Sequence, residues 1–96
     1  MHARIVRFTD VTPERMSEIV ATLESSDGPP PGVDASGIQV FFDESQETAL
    51  FVVSFADEDT MRAADKVFEQ MNPEDPPGNR ASVDLCELRI ERQAGE

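Results

Sequence analysis

Hydrophobic and polar positions alternate most clearly in the middle of the chain, from Ile38 to Phe55. Two runs rich in β-branched and aromatic residues flank a polar connection at 44–47, and this pattern is typical of a β-hairpin. Neighbours such as Phe41 and Phe42 point to opposite faces of a strand, so apolar side chains occupy both faces. A sheet that is apolar on both faces needs a cover on both faces.

Two segments with helical periodicity flank this hairpin. The first is predicted to run from about residue 13 to residue 24, with Thr12 as its N-cap and Pro13 at its first position. The second is predicted to follow Asp57 as N-cap and to end at the Asn72-Pro73 pair. Both segments carry an apolar stripe, which consists of Met16, Ile19, Val20 and Leu23 in the first and of Met61, Ala64, Phe68 and Met71 in the second.

Strand patterns at 3–9 and 82–91 complete the order β-α-β-β-α-β. Because β-α-β crossovers are right-handed, this order predicts an α+β fold of the ferredoxin-like βαββαβ type. Its four-stranded antiparallel sheet has the order 4-1-3-2, with both helices on one face. The length favours a single domain, 1–96.

Two proline-rich connections follow the helices, at 25–37 and 72–80. The topology places them at opposite ends of the sheet, so we expect that they do not jointly form one lid. The first is either a surface linker or a flap beside a functional site, since long loops in compact domains often carry function.

Two helices cover one face of such a sheet and leave the other face open. We expect that open face to carry a large share of the central aromatic residues, and a monomer rarely exposes an extensive apolar patch. Packing of this face against the same face of a second copy gives a closed two-fold homodimer. The sequence therefore predicts self-association through the open sheet face.

The formal charge of −12 narrows the range of partners. Phosphate contacts need clustered Lys and Arg, so the charge argues against a nucleic-acid partner and against an anionic membrane surface. The chain has one cysteine, Cys86, and starts with a strand pattern in place of a signal peptide. No apolar run approaches the ~20 residues of a membrane span. We expect a soluble, cytoplasmic protein.

Few side chains offer catalytic or metal-binding chemistry. The one histidine, His2, is either a frayed terminal side chain or a base at the mouth of a site. Cys86 lies in the middle of a strand pattern, which favours a small buried residue over a nucleophile. One His and one Cys at opposite ends of the chain show no metal-ligand spacing. The sequence therefore predicts neither a metal nor another cofactor.

Polar residues inside the strand patterns are the candidates for holding a ligand. Arg4 and Arg7 alternate to opposite faces, and either one is expected to pair with Asp84 or Glu87 or to bind an anion. Other polar strand positions are exposed at an edge or face an interior where they orient a small ligand. The predicted ligand-binding residues are Arg4, Gln39, Phe41, Phe55 and Asp84.

Two segments carry a family resemblance. One is the start, residues 1–8; the other is 53–64, where a strand ends in an aromatic residue and passes through acids into a Met-Arg-Ala helix. With these segments the chain resembles the dimeric α+β barrel superfamily, and within it the antibiotic-biosynthesis-monooxygenase-like proteins. The resemblance covers nearly the whole chain in element order. It implies a dimeric α+β barrel with a ligand cavity inside each subunit.

The resemblance implies one of two functions. The first is a small-molecule-binding protein that holds an apolar or aromatic molecule in the sheet-lined cavity. The alternative is a cofactor-independent monooxygenase acting on phenol- or quinol-like substrates, in which Asn, Trp and His commonly hold and deprotonate the substrate. This chain has Phe55 where members often have Trp, and it contains no Trp or Tyr. Because a phenyl ring donates no hydrogen bond as an indole does, we favour the ligand-binding interpretation.

Overall fold

A computed structural model of the chain describes residues 1–26, 28–29, 31–71 and 76–94. Four strands form one antiparallel sheet in the order β2-β3-β1-β4, which is the predicted order read from the other edge. The ferredoxin-like α+β fold is thus confirmed. The elements are β1 (His2–Thr9), α1 (Pro13–Ser25), β2 (Gly37–Asp43), β3 (Thr48–Phe55), α2 (Glu58–Gln70) and β4 (Asn79–Glu87).

Both helices begin at the predicted caps. The Thr12 side chain accepts a hydrogen bond from the backbone N–H of Arg15 at 3.1 Å, and the Asp57 carboxylate accepts one from the N–H of Thr60 at 2.8 Å. Each bond satisfies a backbone donor that the first helical turn leaves without a partner. The predicted end of α2 at Asn72-Pro73 lies outside the described residues, and the helix itself ends at Gln70.

Strand β4 is displaced from its predicted range of 82–91. It begins at Asn79, opposite Thr9, and it ends at Glu87, opposite His2. One further bond joins the N–H of Leu88 to the carbonyl of Met1 at 2.8 Å. The length of β1 therefore sets the length of β4, because a strand needs a partner for its ladder of backbone hydrogen bonds.

Helices α1 and α2 both cover the sheet face that carries Val53 and Phe55, called here the helix face. Of the four phenylalanines in the hairpin, all of which the structure describes, Phe42, Phe51 and Phe55 lie on this face. Only Phe41 alternates to the opposite, open face. The expectation that the open face carries a large share of the central aromatics is wrong, because the helices cover the face with the larger aromatic content. The open face is instead mainly aliphatic and polar, with Ile5, Arg7, Gln39, Leu50, Val52 and Asp84.

The core beneath the helices consists of two separate clusters. One joins Met61 and Ala64 of α2 to Val53 and Phe55 of the sheet. The other centres on Met16 of α1, with Val11, Ile19 and Ala49 around it. In α1 only the first half of the predicted stripe is buried; Val20 is 38% and Leu23 is 37% exposed. The C-terminal half of α1 thus leaves the sheet beside it uncovered.

Candidate ligand-binding groove

An open groove lies on the helix face between the two core clusters. Its floor is formed by Val6, Phe51 and Val53, while Leu23 of α1 and Phe68 of α2 form opposing walls. Its volume is about 1220 Å³, above the roughly 300–1,000 Å³ of typical small-molecule sites. The groove exists because the second half of α1 does not pack on the sheet.

Both proline-rich connections border this groove. Gly28 and Pro29 line it from the first connection, and Pro76 and Pro77 line it from the second. Both loops thus contribute to the lining of one groove, and the expectation that they do not jointly form one lid stays a prediction.

The path of the first loop explains this arrangement. After leaving α1 it crosses towards α2, where Val33 is buried in the α2 cluster. Gly32 has a φ of +89°, and a Cβ placed there would lie 3.1 Å from Cγ2 of Val67. The left-handed backbone and the close approach both favour glycine at this position. The described residues of this loop therefore lie beside the groove, and the flap interpretation stays a prediction.

Arg4 is the one charged side chain among the buried residues that line the groove, within the described part of the chain. Its Nε donates to Oδ1 of Asp65 at 2.9 Å, and its Nη2 donates to Oε1 of Glu69 at 3.1 Å. The guanidinium carbon lies 4.6 Å from the centroid of the Phe68 ring, within the range of a cation–π contact. Two ion pairs and an aromatic ring thus fix Arg4 against α2.

The predicted partners of Arg4 are wrong. It shares the helix face with α2, whereas Asp84 pairs with Ile5 and points to the open face with it. Glu87 lies near Arg89, at 3.5 Å. The parity of β1 excludes Asp84, because even-numbered residues of this strand point to the helices, whereas Glu87 lies opposite the start of the strand.

The ion pairs of Arg4 extend to the rim of the groove. Glu69 also accepts hydrogen bonds from Nη1 of Arg80 at 2.9 Å and from Nη2 at 3.4 Å. Two guanidinium groups therefore face two carboxylates, those of Asp65 and Glu69, and this wall of the groove is formally neutral. No hydrogen bond joins Nη1 of Arg4 to any residue that the structure describes.

The five predicted ligand-binding residues do not form one site. Arg4 lines the groove, whereas Phe55 is fully buried beneath α2 and fills the core. Gln39, Phe41 and Asp84 lie on the open face, on the other side of the sheet. A single cavity cannot contain both groups.

Phe41 contributes to a second, smaller depression on the open face. This site has a volume of about 190 Å³ and is lined by Phe41, Leu50 and Arg7 together with the hairpin turn. In that turn, hydrogen bonds from the side chains of Ser45 and Gln46 lower the pKa of Asp43. The carboxylate of Asp43 therefore stabilises the hairpin turn by accepting hydrogen bonds from Ser45 and Gln46.

Sequence reasoning missed the residues of α2 that define the polar wall. The periodicity places Phe68 in the buried stripe, but it singles out neither Asp65 nor Glu69. A signal was present, because Asp65 and Glu69 are four residues apart and adjoin Ala64 and Phe68 of the stripe. In this helix the two acids beside the stripe face the buried guanidinium of Arg4.

The remaining candidates for chemistry lie away from the groove lining. His2 pairs with Phe55 at the start of β1, and its buried Nδ1 has no hydrogen-bond partner among the described residues. Cys86 is half-buried on the open face opposite Ala3. Within the described ranges, no group of three His, Cys, Asp or Glu side chains is placed to hold a metal ion.

None of the helices that the structure describes is both long and apolar enough to span a bilayer. No family model matches the chain, and neither a curated protein nor a solved structure matches it significantly. The family resemblance therefore stays an expectation, and function is argued from the groove itself.

Proposed function

We propose that this protein binds a small apolar or aromatic molecule in the groove between its two helices and the sheet. The observation that carries the proposal is the groove itself, about 1220 Å³ in volume and floored by Val6, Phe51 and Val53. An open apolar space of this size is costly in a small domain, because filling it with side chains would add hydrophobic stabilisation. Occupancy by a ligand supplies the missing contacts.

The charged groups that line the groove, Arg4, Glu69 and Arg80, lie together at one wall, and polar groups are few, as in most small-molecule sites. Arg4 is held by Asp65 and Glu69 and keeps one nitrogen, Nη1, without a hydrogen bond to a described residue. This N–H group is suited to orient an acceptor atom of the ligand, while the apolar floor supplies affinity. Phe68, which already contacts the guanidinium, offers a ring for an aromatic ligand.

The test uses N-phenyl-1-naphthylamine, an uncharged probe whose fluorescence rises in an apolar environment. The variant is Leu23→Glu, which puts a carboxylate on the α1 wall of the groove. We expect its affinity for the probe to fall about tenfold, which corresponds to about 1.4 kcal/mol. Val20→Glu is the matched control, because Val20 lies on the same helix with almost the same exposure but does not line the groove. Equal affinities of the two variants would contradict the proposal.

The second part of the proposal is a homodimer that forms through the open face. Phe41 is 53% exposed there. Ile5, Leu50 and Val52 are half-buried, because no helix covers this face. A second copy that packs the same face against this one removes the exposed apolar surface by a two-fold contact. The groove lies on the opposite side of the sheet, so ligand and partner occupy separate surfaces.

Light scattering after size-exclusion chromatography tests this assembly. We expect twice the protomer mass of 10.6 kDa for the wild type at micromolar concentration and a shift towards the monomer for Phe41→Ser. Ile38→Ser is the control, because Ile38 lies on the same strand, is 52% exposed and points to the helix face. A monomeric wild type would contradict the dimer proposal and would leave the groove proposal unaffected.

A further inference from the structure

We propose that the groove selects uncharged ligands and rejects anions, although a buried arginine lies in its wall. The inference rests on the proposed ligand-binding function and specifies the ligand class. It depends on how the charges of Arg4, Asp65, Glu69 and Arg80 balance one another.

A buried arginine in an apolar site ordinarily attracts a carboxylate or a phosphate, because its planar fork of donors matches these anions. In this protein one edge of the fork, formed by Nε and Nη2, is already occupied. The Asp65 carboxylate accepts a hydrogen bond from Nε of Arg4 at 2.9 Å, and the Glu69 carboxylate accepts one from Nη2 at 3.1 Å. An anionic ligand is left with the other edge of the guanidinium, at Nη1, where it lies close to two carboxylates that already neutralise the cation.

The balance of charge extends beyond Arg4. Glu69 is held from the other side by Arg80, so two cations meet two carboxylates and no net positive charge remains on this wall. An incoming anion therefore meets a wall without surplus positive charge, and the carboxylates of Asp65 and Glu69 lie at close range. The net charge of −12 adds a repulsive field at longer range. An anion also loses water when it enters the groove, and the apolar floor offers no hydrogen bonds that would offset this desolvation cost.

An uncharged ligand avoids all of these costs. A carbonyl, ether or hydroxyl oxygen accepts a hydrogen bond from Nη1 of Arg4 while Asp65 and Glu69 keep their bonds. The ring system of such a ligand packs on Phe51 and Phe68, which both line the groove. The ligand class is therefore an uncharged, mainly apolar molecule with an oxygen acceptor at one end.

Two probes of nearly identical shape test the inference. N-phenyl-1-naphthylamine is uncharged, and 8-anilinonaphthalene-1-sulfonate is the same molecule with an added sulfonate. For the wild type we expect the sulfonate to bind at least about tenfold more weakly. For both probes, only binding whose affinity falls in Leu23→Glu but not in Val20→Glu is assigned to the groove.

The decisive variant is Asp65→Asn. Its amide oxygen still accepts from Nε of Arg4, but one negative charge is lost and the wall becomes positive. We expect the affinity for the sulfonate to rise at least about fivefold, while the affinity for the uncharged probe changes less than about twofold. Glu44→Gln is the control, because it changes the net charge equally in the hairpin turn, away from the groove lining. Glu69→Gln repeats the test if Asp65→Asn does not unfold cooperatively.

The outcomes separate the inference from the proposed function. Equal wild-type affinities for the two probes, or equal effects of Asp65→Asn and Glu44→Gln, overturn the charge selectivity and leave the groove as a binding site. Absence of any Leu23-dependent binding of either probe overturns both proposals.

Discussion

Arg4 ties the central strand of the sheet to α2, and its side chain is 7% exposed. Replacement by Met keeps the length of the side chain but leaves the Asp65 and Glu69 carboxylates without their buried cation. We expect Arg4→Met to lower the free energy of unfolding by about 2 kcal/mol, below the ~3–5 kcal/mol of fully buried pairs because both carboxylates are partly exposed. Urea denaturation measures the loss.

Arg80→Met provides the comparison for Arg4→Met. Arg80 pairs with the same Glu69, but its side chain is half-exposed. Its loss should cost less than about 1 kcal/mol, as for most surface ion pairs. Equal losses of unfolding free energy in the two variants would mean that burial does not strengthen the ion pairs of Arg4.

Asp57 links stability to pH at the start of α2. Hydrogen bonds from the side chain and then from the backbone N–H of Thr60 lower its pKa from the ordinary value of 3.8. Because the pKa is lower in the folded chain, the resulting stabilisation is present above pH 3.8 and is lost as the pH falls through the folded value below it.

The variant Asp57→Asn tests this link, since Asn is also a good N-cap but carries no charge. We expect a lower Tm than the wild type at neutral pH and a difference that shrinks below about pH 4. Thermal melts followed by circular dichroism across the acid range measure it. A difference that stays constant down to about pH 2 would exclude this role of Asp57.

At the scale of elements, the two halves of α1 differ. Met16 and Ile19 are buried in a core cluster, whereas Leu23 borders the open groove. Local opening is easier where few apolar contacts are lost. We expect the amides of residues 21–25 to exchange with solvent at least about tenfold faster than those of residues 17–20.

Hydrogen exchange measured by NMR tests this difference within α1. Addition of the uncharged naphthylamine probe should slow exchange in 21–25 selectively, because the bound molecule contacts Leu23. Uniform protection along α1 without ligand would show that the helix is packed along its whole length and would argue against an open groove.

The elements were predictable where the determinants are local. Caps such as Thr12 and Asp57 and the alternation of the hairpin act over a few residues, so the sequence specifies them directly. The limits of β4 depend on the length of β1, which local patterns do not contain. The partners of Arg4 lie more than sixty residues away on α2. Their contact depends on the rotation of that helix, which its stripe defines only approximately.

The groove itself was not predictable, because apolar periodicity does not report whether a stripe is fully packed. Leu23 fits the stripe of α1 as well as Met16 does, yet Met16 is buried in the core and Leu23 is left partly exposed beside the groove. The path of the first loop also depends on a distant contact, in which Val33 joins the α2 cluster. Such long-range contacts decide where the helix face stays uncovered.

For the molecule as a whole, the sheet separates two apolar surfaces. The groove lies under the helices, and the open face with Phe41 lies on the other side. In our proposal, ligand binding belongs to the helix side and self-association to the open side. It also explains why the five residues expected to form one site are divided between two surfaces.

The most direct measurement is a methyl-detected NMR titration with N-phenyl-1-naphthylamine. Methyl groups report on both sides of the same sheet, because Val6 and Val53 line the groove while Ile5 and Leu50 lie on the open face. We expect the probe to shift the Val6, Val53 and Leu23 signals and to show nuclear Overhauser contacts with them, with the open-face signals unchanged. Contacts confined to Ile5 and Leu50 would contradict the assignment of the ligand site to the groove.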